Sequence, residues 1–340
     1  MYKIAIVDKM HVDGINLLKN NPKFECEIIE DLSKKNLMSK LPAFDGITLR
    51  RGKIDSEILE KCKKLKVISR HGVGYDNVDT NFLKKNNISL LITGTTASTS
   101  PAEHIMFMIL NISKGKNFFD QSVRTGEFGT AMHVDHKTFE LFDKKILIIG
   151  FGRIGRKLIK KCFGFEMQVY VYDPFVDKKT IESLGGKKID NLENGLKEVD
   201  IVSLTVPLNS ETKNMINLEK MKIMKKTSII INISRGGIVN EKDLNEALNN
   251  GMIYGAGLDV FEEEPPSNNS PLLKNKKVLL SPHAATFTKE CLSDMAVETA
   301  QNIIDFFENK IKQSMIVKLW TILTNLHIFV DNLLIEIYLF

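Results

Sequence analysis

The chain is poor in cysteine, in blocks of one-signed charge and in apolar leader sequence at its start. Its four cysteines (Cys26, Cys62, Cys162, Cys291) are scattered through 340 residues without a Cys-x-x-Cys pair. That spacing excludes a disulfide framework and a zinc site, and fits reduced thiols in a cytosolic protein. No metal is therefore expected. Net charge is +5, carried mostly by dispersed lysines with no dense arginine block. Such a balance is too mild to argue for nucleic acid and is equally compatible with anionic small molecules. The opening stretch, MYKIAIVDKM, lacks the long apolar core and small-residue cleavage site of a signal peptide and reads as a first β-strand, so a cytoplasmic location is expected. Internal repeats of short period and low-complexity tracts are also missing. What remains is ordinary globular composition, 43% hydrophobic and 26% charged, on a chain longer than one core usually serves, so two domains are expected.

Short apolar runs alternate with helical patterns from the start. KIAIVD, CEIIE, GITLRR, KVISRH and ISLLIT read as strands. Between them, DGINLLKN, DSEILEKCKK and DTNFLKKNN each open on an aspartate suited to a helix N-cap. Strand and helix in alternation imply parallel sheets covered on both faces. At 93–101, TGTTASTSP is small, polar and strand-breaking, and reads as a hinge or loop. From about Ala102 a helix apolar over most of its circumference should follow, buried against something large. A second alternating series then runs through KKILIIG, QVYVYD, DIVSLTVP, SIIINIS, YGAGLDV and KVLLSPH, and ends in a long helix within KECLSDMAVETAQNIIDFFENK. The fold class is α/β, with two doubly wound parallel-sheet units of about 95 and about 190 residues.

In KKILIIGFGRIGRKLIKKC, Gly150, Gly152 and Gly155 lie between a buried strand and an amphipathic helix, with Arg153 and Ile154 inside the loop. Gly150 suits a tight turn, Gly152 a close approach to pyrophosphate, and Gly155 close helix–strand packing. The helix start offers N–H groups and a positive dipole end to phosphates. Asp173, at the end of the next strand and 18 residues after Gly155, is placed to take the adenosine ribose hydroxyls and to repel the extra phosphate of NADP; NAD is the expected cofactor. Alternatively Asp173 caps a turn before Pro174. Thr205, Val206 and Pro207, and the segment with Ser234, follow later strands, where ligands bind in open α/β sheets.

Three ionisable features fall at such strand ends: Arg235, the acidic run Glu262 to Glu264, and His283. A guanidinium immediately after the buried strand SIIINIS is costly unless paired or aimed at a ligand. Its fork suits a carboxylate. An imidazole beside a carboxylate is favoured in its protonated form, which makes His283 an acid–base candidate with the acidic run supplying its partner. A nicotinamide cofactor, an arginine clamp and a carboxylate-backed histidine together meet the needs of 2-oxo-acid reduction. Arg235 would hold the substrate carboxylate and His283 would give the proton to the new hydroxyl.

These motifs, with HGVGYDNVD (71–79), the S-x-A-E-H element (Ser100 to His104), RTGEF (124–128), VYDPF, VPLNSETKNMI, INISRGGIVNE, GAGLDVFEEEP and SPHAAT, make the chain resemble the D-isomer-specific 2-hydroxyacid dehydrogenases as far as about residue 317. The resemblance implies a catalytic set of Arg235, Glu264 and His283, the glutamate being the one before proline. It implies that Asp259 contacts the nicotinamide carboxamide and that backbone at Val73 and Gly74 cradles the substrate carboxylate. Glu262 and Glu263 keep the reading of solvated charges. A flavodoxin-like substrate domain (1–97 with 288–318), a Rossmann NAD-binding domain (98–287) and a homodimer are implied as well. Within the family the chain looks most like the phosphoglycerate dehydrogenase group of serine biosynthesis, in a short form without the C-terminal regulatory domain, with Arg50 or Arg51 near the substrate phosphate. Glyoxylate/hydroxypyruvate reductase is the alternative. A cofactor-sensing corepressor is the alternative from another class. Pro101 and Phe128 depart from the family's usual residues. Pro suits a first helical turn, and Phe128, where Trp is usual, keeps an aromatic contact.

The last 22 residues, 319–340, are apolar beyond the family pattern. They could span a bilayer, but Asp331 and Glu336 would each cost up to about 3 kcal/mol near a helix centre, and His327 adds to this. A non-native or disordered tail is expected, ahead of an extra helix or a membrane anchor.

Overall fold

The computed structural model describes residues 1–94, 96–131 and 138–317; the tail expected at 319–340, and Thr95 within the hinge reading, lie outside them. The chain divides into two units. One is Met1–Gly94 with the described residues from Met295 onward, and the other is Thr95–Asp294.

The first unit holds β1 (Tyr2–Val7), β2 (Phe24–Ile29), β3 (Gly46–Leu49), β4 (Val67–Arg70) and β5 (Ser89–Ile92). All pair in parallel, in the order β2-β1-β3-β4-β5. Strand residues alternate between two cores. Ala5, Val7, Ile47 and Leu49 face one with the helices Lys34–Lys40, Ser56–Lys61 and Thr80–Lys85, while Ile4, Ile6 and Val67 face the other with Val12–Lys19 and the end of Lys289–Phe307. The expected aspartate caps occur at Asp55 and Asp79, which accept from Ile58 N–H and Phe82 N–H. The first helix differs. It starts at Val12, one residue before Asp13, and His11 is its cap, so Asp13 serves as a first-turn acid instead. Gly14 is required where this helix crosses the long one, because a Cβ there would meet Ala296 O at 2.3 Å.

The second unit holds β6 (Lys145–Ile149), β7 (Gln168–Tyr172), β8 (Lys187–Lys188), β9 (Ile201–Leu204), β10 (Ile229–Asn232), β11 (Gly255–Leu258) and β12 (Val278–Leu280). They form a parallel sheet in the order β12-β11-β10-β9-β6-β7-β8. Ile146 and Ile148 point into one core with helices Thr99–Lys114 and Arg153–Gly164; Leu147 and Ile149 point into the other with Glu241–Asn249. This two-sided burial is why β6 and β10 read as unbroken apolar runs. The order reverses between β6 and β9, and ligands bind outside the strand ends at such a point.

The helix expected from about Ala102 begins at Thr99, and Pro101 sits buried in its first turn. It buries Ile105, Met108 and Ile109, while Phe107 stays 51% exposed. Gly115, at φ +61, ends it, and a further helix, Lys116–Arg124, starts at once. Phe128 is 61% exposed. All four cysteines are free; burial pushes the Cys162 thiol up to about 12 and the other three to about 11, which leaves them inert.

Candidate active site and cofactor site

β6 delivers the chain to Gly150, which turns at φ +94 and lies so close to β9's exit that a Cβ would meet Thr205 O at 2.6 Å. Thr205 Oγ1 donates to Gly150 O at 2.7 Å and fixes that turn. Gly155 faces inward, where a Cβ would meet Gly150 O at 2.5 Å, so the helix Arg153–Gly164 packs against the loop. Gly152, the N-cap, has nothing within 4 Å of its Cβ position. The loop therefore has one face locked by contact and one open face at a helix start, the form that admits a pyrophosphate. Arg153 is exposed and Ile154 packs partly into the core. Asp173 Oδ2 accepts the Phe151 N–H at 2.7 Å and Oδ1 accepts that of Phe175 at 2.8 Å, so the carboxylate is held rigidly beside the glycine turn. These residues fit a dinucleotide.

Arg235 follows β10. Buried Asn232 shapes its turn: Oδ1 accepts Ser234 N–H at 3.1 Å, and Nδ2 donates to Arg235 O at 2.9 Å. Ser234 Oγ donates to Leu204 O at 2.6 Å, and Pro207 O accepts from Thr212 Oγ1 at 2.6 Å. Gly236 lies against the acidic loop, where a Cβ would meet Phe261 O at 1.8 Å. The loops after β10 and β11 are thus interlocked by a glycine.

Within the acidic loop, Glu264 Oε1 accepts Phe261 N–H at 3.2 Å, and Oε2 lies 2.8 Å from His283 Nδ1. The pair is accessible, with the His283 side chain 49% and that of Glu264 38% exposed. Burial pushes the Glu264 carboxyl up, but the hydrogen bond and charge of His283, the Phe261 N–H and the Arg235 charge outweigh it and hold it below its ordinary value. Arg235, Glu264 and His283 are therefore electrostatically linked within one unit. Glu262 does more than meet solvent: its carboxylate accepts Glu241 N–H at 3.0 Å, and its own N–H donates to Glu241 at 2.5 Å. This reciprocal pair ties the loop to the start of helix Glu241–Asn249.

Asp259 is fully buried. Oδ1 accepts from Ser281 Oγ at 2.5 Å and Ala284 N–H at 2.7 Å, and Oδ2 accepts Ala285 N–H at 2.9 Å. These partners come from the His283 loop.

Arg50, Val73 and Gly74 stand in the other unit, at the carboxyl ends of β3 and β4. Arg51 grips buried Asp8 through Nε at 2.6 Å and Nη2 at 3.1 Å, and Arg50 Nη1 lies 3.7 Å from the same carboxylate and donates to Lys9 O at 3.2 Å. Val73 is exposed and Gly74 half-buried. Sequence reasoning missed the groups that shape this end. Arg70 Nη1 donates to Leu49 O and His71 O, Arg70 Nε donates to Asn77 Oδ1, and Asn77 Nδ2 donates to Gly52 O, which stitches the 50–53 and 71–79 loops together. His71 is buried, with Nδ1 at 3.2 Å from Thr299 Oγ1; burial first, then the charges of Arg50 and Arg70, lower its pKa to about 3 against the pull of Asp8, so it is neutral. In the second unit, His104, Ser281, Asn232 and Glu241 were missed as well. His104, Ser281 and Glu241 have partners remote in sequence, so the motifs that contain them give them no role, and Asn232 holds a local turn that looks like the continuation of a buried strand.

Among the described residues no group of histidines, cysteines and carboxylates is placed to hold a metal, and no helix is long and apolar enough to cross a membrane.

Residues 106–285 match the family model described as D-isomer specific 2-hydroxyacid dehydrogenase, NAD binding domain. The chain is 36% identical over 324 residues to a glyoxylate reductase of Pyrococcus furiosus, covering 93% of this chain and 95% of that one. It is 35% identical over 320 residues to a D-3-phosphoglycerate dehydrogenase of Methanocaldococcus jannaschii, of which it spans only 59%. A solved structure from Thermus thermophilus superposes with TM-score 0.82 at 26% identity, over 91% of this chain and 98% of that one. The chain belongs to the D-isomer specific 2-hydroxyacid dehydrogenase family, NAD-dependent oxidoreductases that act on 2-hydroxy acids.

Proposed function

We propose that Arg235, Glu264 and His283 are the catalytic set of this dehydrogenase, and that its substrate is a phosphorylated 2-hydroxy acid of the 3-phosphoglycerate type, handled in either direction. The observation that carries the catalytic reading is the 2.8 Å contact between His283 Nδ1 and Glu264 Oε2, in the unit that holds the glycine cradle. When bound, NADH supplies the hydride that reaches the carbonyl carbon. His283, engaged through Nδ1 by Glu264, presents Nε2 to the substrate oxygen and gives it the proton, so that carbonyl becomes hydroxyl. The ionised Glu264 stabilises the imidazolium beforehand and fixes its orientation. Arg235 holds the substrate carboxylate as a fork and draws charge from the adjacent carbonyl. Gly150, Gly152, Arg153, Ile154 and Gly155 would hold the pyrophosphate, Asp173 the ribose, and Thr205, Val206, Pro207, Ser234 and Asp259 the nicotinamide half. Val73 and Gly74 would meet the substrate carboxylate.

Support for the phosphate comes from the two adjacent guanidinium groups at the exit of β3, Arg50 and Arg51, both of which approach the Asp8 carboxylate. A second reading, glyoxylate or hydroxypyruvate reductase, is favoured by the P. furiosus relative, which is matched over 95% of its length. A panel of NADH oxidation with 3-phosphohydroxypyruvate, hydroxypyruvate, glyoxylate and 2-oxoglutarate decides. The first substrate should give the highest kcat/KM, preference for glyoxylate would give the second reading, and tight NADH binding with no turnover would indicate a cofactor sensor. The same proposal takes the protein as a cytoplasmic member of serine biosynthesis and as a homodimer. Exposed Phe107, beside Met106 and Leu110 on the helix Thr99–Lys114, supports the dimer, and sedimentation of the purified chain tests it.

A further inference from the structure

The S-x-A-E-H element has no part in the chemistry above, yet its two ends grip the loop that carries His283. Ser100 and His104 stand about one turn apart on the helix Thr99–Lys114 and project from one face. Ser100 Oγ donates to Ala285 O at 2.6 Å, and His104 Nε2 lies 3.0 Å from Ser281 Oγ. Ser281 uses its only proton in the 2.5 Å bond to Asp259 Oδ1. Its oxygen must therefore accept from His104, which puts the His104 proton on Nε2. The line of donors runs from His104 to Ser281 to the buried carboxylate.

Asp259 carries the effect onward. His283 N–H donates to its main-chain oxygen at 2.7 Å, Ala284 N–H to Oδ1 at 2.7 Å, and Ala285 N–H to Oδ2 at 2.9 Å. Three consecutive amides thus end on one residue. His283 needs that hold, because it sits at φ +53, a conformation that costs a residue other than glycine about 1–2 kcal/mol. Such a conformation persists where its surroundings over-determine it.

We propose that His104 is a positioning residue for His283: through Ser281 it fixes the Asp259 carboxylate, which holds the 283–285 amides and so keeps the imidazole aligned on Glu264. The proposal rests on the reading of His283 as the acid–base group. Burial lowers the His104 pKa against the opposing charge of Asp259, so His104 works as a neutral dipole and brings no second positive charge to the pair.

The test compares the full-length wild type with His104→Ala, His104→Gln, Ser281→Ala and the His104→Ala/Ser281→Ala double variant. It reads kcat and KM for reduction of the best substrate, NADH affinity by fluorescence, and Tm. His104→Ala should lose about tenfold in kcat with KM, NADH affinity and Tm near wild type. His104→Gln, whose amide N–H can also reach Ser281 Oγ, should recover most of the loss. The double variant should be little slower than Ser281→Ala alone, because His104 reaches Asp259 chiefly through Ser281, at 3.0 Å, and stands 3.6 Å from Oδ1 itself. Wild-type kcat in His104→Ala overturns the proposal, as do losses that multiply in the double variant, or a fall in Tm and NADH affinity that glutamine does not rescue. His283→Ala, assayed alongside, separates the two levels. If it is inactive while His104→Ala is unaffected, only the positioning role fails. If it turns over normally, the acid–base reading fails and the positioning role falls with it.

Discussion

At the carboxyl ends of β3 and β4 in the five-stranded sheet stand three arginines, Arg50, Arg51 and Arg70. Arg50 and Arg51 meet the buried carboxylate Asp8, and Arg70 donates to the loop carbonyls of Leu49 and His71. At the carboxyl ends of the seven-stranded sheet stands an acid–base pair, Glu264 and His283, with Arg235's charge acting on it and fixed amides behind it. Both sheets are parallel and both reverse strand order, so the architecture is shared and the chemistry is set by loop residues. The first arrangement suits holding an anion, because its charges end on rigid acceptors. The second suits moving a proton, because its pair is half exposed while its support is buried.

If that division holds, substitutions in the His283–Glu264 pair and the glycine turn of the second unit should act on kcat or cofactor binding, and those at Arg50 and Arg51 in the first on substrate affinity. The largest effect is expected for His283→Ala. Turnover should fall by about 100- to 10,000-fold while NADH binding, measured by fluorescence, persists. Gly150→Ala comes next. Its φ of +94 and the 2.6 Å approach of Thr205 O should cost about 1–3 kcal/mol of stability, read as a lower Tm, together with weakened NADH binding. Asp173→Ala should reduce the preference for NAD over NADP about tenfold, roughly the value of one charged contact, as ratios of kcat/KM would record. Arg50→Ala should raise KM for 3-phosphohydroxypyruvate about fivefold, within the worth of an accessible ion pair, and leave glyoxylate kinetics unchanged. An equal effect on both substrates would break the comparison. Glu262 marks the small end of the scale. Glu262→Gln keeps an acceptor for Glu241 N–H and should change little, whereas Glu262→Ala should cost about 1 kcal/mol of stability, as loss of a helix-start acceptor does.

Much of this was legible in the sequence because the fold is written in local patterns. Buried parallel strands appear as runs such as ILII and SIII, and the glycine turn has a fixed spacing. The two-residue β8 offered too few positions to show a period, and the helix Lys116–Arg124 was hidden because Gly115, a stop signal for one helix, is also the start of the next. The site divided in a similar way. Arg235, Glu264 and His283 follow strands and carry visible motifs. The hydrogen bonds of Asp259 to Ser281 and residues 284–285, the Glu241–Glu262 pair and the grip of His104 join positions 21 to 177 residues apart, so no window of sequence contains both partners. Glu262 could be read only as one of three similar acids. Its tie to Glu241 arises from the packing of Gly236 under the acidic loop.

In the proposed mechanism Glu264 is the charged support of a proton-donating His283. Glu264 is held below its ordinary pKa and stays ionised through the neutral range, so it favours the imidazolium that reduction requires. Removing the charge should make that cation easier to deprotonate. The direct measurement is kcat/KM for NADH-dependent reduction against pH, in the wild type and in Glu264→Gln. Lower activity and a profile displaced toward acid are expected in the variant, with NADH affinity retained. An unshifted profile at wild-type activity would contradict this role of Glu264.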